Sequence, residues 1–472
     1  MTDKSRFSRR AFLRRSGTAG IGLAAAAGLN LLPNWLCAGE SPPDGSALVR
    51  KIADAEIRAG VEAAITKNLV PSATENHYPG HFTITADGSA YGGDTTWPGL
   101  DSWQMTGAYL LLGRKRLVLD YFEFVRASQR KDGNIPFAIF TGDTRPGGHL
   151  RGLKYPEDVF TYKPPKREGL PASSQETRTW IGLFEHWQPK ANPLSALGAI
   201  CYILTAAEIF DATGSVAWLR ERLASVEAAA KYLLSRKGDN GLVGGSGFYT
   251  ELPPRYGWDG VTQCYVVRAF RELARLFGTV GDQTSETAWT GHANKLEKSF
   301  IAAFWHQDHF GEYIHAERGL VDSHGLSDVN WAAVAFGIAV DRNLELLWPQ
   351  LLEEPGFWHG DMPTQTVTKP FTYEKWEYNE PVPLQVSPLN DVAAMGRVWY
   401  LEATACRRMH AHERLMESVR KVCRAAKTDG YWRERYHPLP NGTVAPAGAA
   451  KYCEYAAILV RVVFGNQEVF CQ

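Results

Sequence analysis

Several stretches of this chain crowd acids among aromatic rings. GYWRERYHPLPNG (430–442) sets Glu434 between Arg433 and Arg435 and brackets the trio with Trp432 and Tyr436. GGSGFYTELPPRYGWDGVTQ (244–263) carries Glu251, Arg255, Trp258 and Asp259, and GGDTTWPGLDSWQMTG (92–107) carries Asp94, Trp97, Asp101 and Trp103. FEHWQPKANP (184–193) adds Trp187 and Gln188. Asp101 and Asp259 each stand where a helical pattern begins, and N-capping accounts for either. Glu251 lacks that explanation, being mid-loop beside Tyr249, Pro253 and Pro254. Glu434 also lies in a loop, where the plain alternative is a surface pairing with its arginines.

Two carboxyls in aromatic loops suit hydrolysis of a glycosidic bond. That reaction needs one protonated acid to donate to the leaving oxygen and one ionised carboxylate to act on water or on the anomeric carbon. Apolar surroundings favour the protonated form of a carboxyl, whereas neighbouring arginines favour the charged form. On this reading Glu251 is the acid, with Asp259 as its alternate, and Glu434 is the base. Trp97, Asp101, Trp103, Trp187, Gln188, Arg255, Trp258, Trp432 and Tyr436 are candidates for holding the sugar.

Helices must position these groups, because the apolar periodicity from about Ser46 onward is helical. Residues 101–113 and 116–130 form one pair of helical patterns, 193–210 and 218–236 a second, 261–278 and 285–304 a third, and 391–409 and 413–427 another. Pro193 suits a first helical turn. KDGNIPF, GDNGLVGGSGFY, DHFGEYIH and TDGYWRERY each follow such a pair, joining Gly and Asp to aromatic or apolar residues. All four would emerge at one end of their hairpins. About twelve helical patterns, the first near 47–68 and the last near 449–464, predict an all-α (α/α)6 toroid with long rim loops. HFTITADG (81–88) reads as a short rim hairpin.

The N-terminal 40 residues stand apart. SRRAFLRR (8–15) followed by an Ala/Gly-rich apolar run matches a twin-arginine export signal, which implies a periplasmic or extracellular protein free of the membrane after cleavage. Residues 41–472 then form one catalytic domain. Lys plus Arg equals Asp plus Glu at 51 each, so no basic excess points to nucleic acid. Aromatics make up 12%, including 15 Trp, a composition that suits flat, weakly charged ligands such as carbohydrates. Beyond Cys37, the six cysteines show no CxxC or Cys/His spacing, so no zinc site is expected. Most read as small buried hydrophobes. No cofactor is implied.

The chain resembles the six-hairpin glycosidases of glycoside hydrolase family 63, which includes processing α-glucosidase I, from about Trp97 to Phe464. WPGLDSWQMTGAYLLLG is similar to their WDS…H…LG segment, SQRKDGNIPF to GQ..DG.IP, and WQPKANPLSALGAICYILTAAEIFDATGS to QPP..A.A…L…TGD. DNGLV is similar to DGLV, SPLND (387–391) to WPP.N, and ERYHPLPNG to E.Y.P.TG with one extra residue. The resemblance implies an inverting α-glycosidase and carries the base onto Glu434. The family's acid is the aspartate of SG.DNSPR. Here SGFYTELPPR has two more residues, and counting back from Arg255 reaches Glu251. A rhamnosidase of the same fold is a near alternative, since RYGWDGVTQ echoes that group's R.GW.GD.Q. A polysaccharide lyase drawing on His77, His186 or His315, and an inactive carbohydrate-binding homologue, are the remaining alternatives.

Overall fold

A computed structural model describes residues 45–73, 82–89, 95–99, 101–141, 159–166, 172–184, 196–245, 250, 252–378 and 389–471. Twelve principal helices lie among them. Helix α1 is Ala55–Ala63, continued by a π-helical turn to Leu69. The rest are α2 Ser102–Leu111, α3 Lys115–Ala127, α4 Leu197–Thr213, α5 Val216–Ser235, α6 Gly260–Val280, α7 Gln283–Phe304, α8 Asp328–Ala335, α9 Asp341–Glu353, α10 Gly396–Arg408, α11 His412–Ala425 and α12 Glu454–Gly465.

The even-numbered helices form an inner ring. Helix α2 packs on α4, α4 on α6, α6 on α8, α8 on α10, α10 on α12, and α12 returns to α2. The odd-numbered helices lie outside, and α1 closes the circle against α11 and α12. Sequence pattern follows position. Every residue of α2, α8 and α12 is buried, as expected where a helix meets neighbours on all sides. On the outer α11, by contrast, only Leu415, Ser418, Val419, Val422 and Cys423 are buried, one stripe of an otherwise charged helix.

Capping residues set where the helices start. Asp54, Ser215, Asp259, Asp282 and Ser327 each accept from an orphan amide of the first turn. Gly214, at φ +62°, ends α4 in the left-handed conformation that lets α5 fold straight back.

A buried ion pair closes the ring. Arg461 of α12 reaches Glu208 of α4 at 2.6 Å, and the Trp103 indole of α2 donates to the same carboxylate at 3.0 Å. Gly107 is required there, since a Cβ would stand 2.1 Å from Arg461 Nη1. Besides the two-residue pairing of Trp305–His306 with His309–Phe310, three small antiparallel sheets ride on the loops. They are β1 Ala138–Thr141, β2 Val159–Tyr162 and β3 Arg178–Leu183 in the order β1-β3-β2; β4 Trp258–Asp259, β5 Tyr313–His315 and β6 Gly319–Val321; and the hairpin β7 Arg435–Pro438 with β8 Val444–Ala447.

Two expectations change. Within 81–88, the described residues 82–88 form no hairpin of their own: Phe82 bridges to Ala73 and Thr85 to Tyr452, tying the segment to the end of the α1 region and to the entry of α12. Pro193 lies outside the described residues, and α4 starts at Leu197. The cysteines at 264, 406, 423 and 453 are buried free thiols, Cys201 is buried, and Cys471 is a half-buried free thiol. Among the described residues no helix is long and apolar enough to cross a membrane.

Candidate active site at the mouth of the helical ring

Because the inner helices run parallel, their N-termini converge at one end of the ring. Each loop that follows an outer helix feeds one of these N-termini, so the acid-and-aromatic loops share a single mouth. Six helix N-termini with aligned dipoles favour negative charge there. Carboxylates stand at that level: Asp101 before α2, Asp259 before α6, Asp328 opening α8 and Glu454 opening α12.

Glu434 precedes β7 and is buried. Its amide donates to the Ala449 carbonyl and its Oε2 accepts from the Ala449 amide, both at 3.0 Å. Oε1 pairs with the Arg435 guanidinium. Three anchors hold this loop. Tyr436 exchanges backbone hydrogen bonds with Ala394 ahead of α10, the Tyr452 amide donates to Trp432 O, and the Trp432 indole donates to Val422 O of α11 at 2.9 Å. Gly448, at φ +70°, leaves room for the carboxylate, since a Cβ there would lie 2.6 Å from Glu434 Oε2.

Beside Glu434 lies an acid pair. Asp101 caps no amide of α2; its carboxylate accepts from the Tyr452 hydroxyl instead. Burial raises its pKa above the ordinary range against the pull of Arg397, and the charge of Glu434 adds to the rise. Glu454 is pushed up further, by burial and then by Asp101. Asp101 and Glu454 are thus a buried pair of carboxyls that titrate together.

Asp391 links the loop ahead of α6 to this centre. Its Oδ2 accepts from the Leu252 amide at 2.9 Å, and the Asp391 amide donates to Leu252 O at 2.8 Å. Its Oδ1 faces Arg435 at 3.6 Å and Arg397 at 3.8 Å. The residue following Glu251 and the residue following Glu434 therefore meet on one carboxylate. Among the starts of α6, α8 and α10, Thr250, Val261, Tyr265, Asp328, Thr366, Met395, Arg397, Val398 and Leu401 enclose a small recess.

Other candidates take other places. Asp259 is a framework group: Oδ1 pairs with Arg255 at 2.8 Å and Oδ2 caps the Thr262 amide at 2.6 Å, so neither oxygen is available as a proton donor. Arg255 is wholly buried among Asp259, Glu312 and Asp328 and offers a sugar nothing. Trp103 sits inside the ring, edge-on to Tyr265 and Tyr400, and Trp432 is fully enclosed; neither presents a face to a ligand. Tyr436 is buried, its hydroxyl accepting from the Arg433 amide. Trp97 packs on Phe137 and Phe140, and Trp258 is half-buried in β4. Glu251, Trp187, Gln188, His77 and His186 lie outside the described residues. His315 stands edge-on to Trp376 on the rim. Among the described residues no group of His, Cys, Asp and Glu is arranged to hold a metal ion.

Glu454, Arg397 and Tyr452 are the site residues that sequence reasoning missed. One signal was present: a carboxylate and an arginine heading α12 and α10, helices buried at every or nearly every position, must have partners.

No family model matches the chain, and no curated protein matches it in sequence. Solved structures do match in shape. A GH78 family rhamnosidase of Bacillus sp. GL1 superposes with TM-score 0.59 at 14% identity, covering 88% of this chain and 35% of that one. A GH63 mannosylglycerate hydrolase from Thermus thermophilus, in complex with glucose, gives 0.58 at 13% identity over 83% of this chain and 98% of that one. A Streptococcus pneumoniae protein from a family of metal-independent α-mannosidases gives 0.55 at 13% identity, covering 92% and 97%. The chain thus spans about a third of that rhamnosidase and nearly the whole of the other two. At these identities the likeness establishes the fold, the six-hairpin toroid.

Proposed function

We propose that this chain is a glycoside hydrolase that cleaves an α-linked glycoside with inversion, Glu434 acting as base and Glu251 as acid. The observation that carries this reading is the convergence on Asp391: the amide of Leu252 and the guanidinium of Arg435, each adjacent in sequence to one proposed catalytic carboxylate, meet on its two oxygens. Glu434 is buried at the mouth beside the Asp101–Glu454 pair, and Arg435 and Asp391 connect it to Arg397 in the wall of the recess. The similarly folded proteins include hydrolases of mannosylglycerate and α-mannosides, which supports a glycosidase in general.

Each group has a task. Glu434 draws a proton from a water that attacks the anomeric carbon, while Glu251 donates its proton to the departing oxygen. The Asp101–Glu454 pair, wholly buried beside Glu434, shapes the electrostatic field around that carboxylate. Export by the twin-arginine route, to the periplasm or beyond, belongs to the same proposal.

A second reading has its own support. Two rhamnosidases are among the matching structures, and Val261, Val398 and Leu401 give the recess an apolar side that would suit the methyl group of a 6-deoxyhexose. An α-rhamnosidase is therefore the alternative to an α-glucosidase-like enzyme. A panel of aryl α- and β-glycosides, run with wild type, Glu251→Gln and Glu434→Gln, tests both. One α-glycoside turned over by wild type and lost in both variants supports the proposal. Turnover undiminished in Glu434→Gln overturns it.

A further inference from the structure

A second polar cluster lies beneath the rim, and its centre is a histidine. His324 is wholly buried ahead of α8. Its Nδ1 lies 2.6 Å from Glu312 Oε2 and its Nε2 lies 3.2 Å from Glu377 Oε2. A carboxylate only accepts, so both ring nitrogens must donate, and only the imidazolium carries two N–H groups. The ring stacks on Tyr373 with centroids 3.7 Å apart and planes 9° from parallel. The Tyr373 hydroxyl donates to Glu312 Oε1 at 2.8 Å, and the Tyr313 hydroxyl donates to Glu377 Oε1 at 2.8 Å.

Glu312 carries the contact inward. Its Oε1 accepts from Arg255 Nε at 2.9 Å, and the remaining nitrogens of that guanidinium hold Asp259 at 2.8 Å and Asp328 at 2.9 Å. Asp259 fixes the start of α6, whose Val261 and Tyr265 line the recess together with Asp328 itself. A fixed path of charged contacts therefore runs from His324 to the wall of the recess. On the other side, His324 and Glu312 grip Tyr373 and Glu377 of the rim segment 372–378.

We propose that His324, as an imidazolium clamped between Glu312 and Glu377, is a positioning residue for the reaction, holding Arg255 and through it the Asp259 and Asp328 wall of the recess, so that turnover requires its proton. The inference rests on the hydrolase reading for its activity arm only. The groups against the ring are Glu312, Glu377, Tyr373 and Ser323; behind them Tyr313 holds Glu377, and Arg255, itself paired with Asp328, holds Glu312, while the Lys369 amide donates to the His324 carbonyl at 2.9 Å. Burial alone would lower the imidazolium's pKa, but its hydrogen bonds to Glu312 and Glu377 raise it to about 9. The proton is therefore kept through neutrality and released in mild alkali.

The test combines ring ¹⁵N spectra of histidine-labelled protein with pH–rate profiles on the aryl glycoside that wild type hydrolyses fastest. His324 is expected to show two N–H groups at pH 7 and to lose one with a midpoint near pH 9, with kcat falling over the same interval and KM little changed. Glu377→Gln, which removes one charged acceptor but keeps its shape, is expected to move both midpoints down together by about one unit. His324→Gln is expected to lower kcat by roughly tenfold or more, as a displaced site wall would, and to abolish the alkaline limb. A neutral His324 at pH 7, or a wild-type kcat that stays level through its titration, overturns the inference. So does an alkaline limb that ignores Glu377→Gln. The spectra and the Glu377→Gln variant decide the matter even where His324→Gln does not fold. A wild type that hydrolyses no glycoside refutes the hydrolase reading instead, and is recognised as such because the ring spectra are read without substrate.

Discussion

Replacing Gly448 by alanine should separate backbone strain from displacement of Glu434, the proposed base. Gly448 has φ +70°, and its added Cβ would meet Glu434 Oε2 at 2.6 Å and Glu434 Cβ at 2.8 Å. Ordinary van der Waals contact begins at 3.4 Å, so the carboxylate must retreat by about 0.8 Å, a displacement of the size that costs on the order of a hundredfold in rate. The left-handed conformation itself costs alanine about 1–2 kcal/mol. Gly442 supplies the control. It turns the same β7–β8 hairpin at φ +81° with nothing within 4 Å of the added atom. Gly442→Ala should therefore lose comparable stability and keep wild-type kcat, whereas Gly448→Ala loses stability and most of its kcat. Thermal unfolding and initial rates on one aryl glycoside read the two effects separately. Equal rates in the two variants would refute the placement of Glu434 at the reacting centre.

Three further outcomes follow from the buried groups. Trp103→Phe removes the indole donor to Glu208 and should cost about 1–3 kcal/mol in urea unfolding, with KM within about twofold of wild type, because the indole is buried inside the helical ring. Arg255→Met leaves Asp259, Glu312 and Asp328 buried without their cation, and a loss of about 3–5 kcal/mol in the same measurement is expected. Asp328 is raised from its ordinary 3.8 to about 7, by burial first and by Asp259 and Glu312 after it, against the opposing pull of Arg255. Its contribution is fully present below pH 3.8 and is lost as pH rises through about 7. Asp328→Asn should consequently gain on wild type by up to about 4 kcal/mol between pH 4 and pH 8, and a pH-independent difference would contradict the assignment.

The hairpin pairs were legible because amphipathic outer helices alternate with nearly uniform apolar inner ones, and the connecting loops announce themselves with Gly, Asp and aromatic residues. Helix α8 was not singled out: DVNWAAVA is only 8 residues long and buried on every side, so it shows no periodicity to detect. Glu434 was legible as an acid crowded by arginines and rings. The fate of its aromatic neighbours was not, because a tryptophan beside an acid reads the same whether it faces a ligand, like the role expected of Trp432, or donates inward to Val422 O, as it does. Asp101 and Asp259 looked alike as helix starters, yet Asp259 caps and Asp101 does not. The difference lies in partners hundreds of residues away, Tyr452 for one, and much nearer, Arg255 for the other. The Tyr452 contact is set by the closure of the ring, which local sequence does not encode.

The role of Glu434 is tested most directly by the configuration of the sugar first released. Proton NMR of wild-type hydrolysis of an aryl α-glycoside, followed from the first minute, should show the β-anomer appearing ahead of mutarotation, because a base delivers water to the opposite face. First release of the α-anomer would mean that a carboxylate attacks the sugar itself, and the account of Glu434 as the water-activating base would fail.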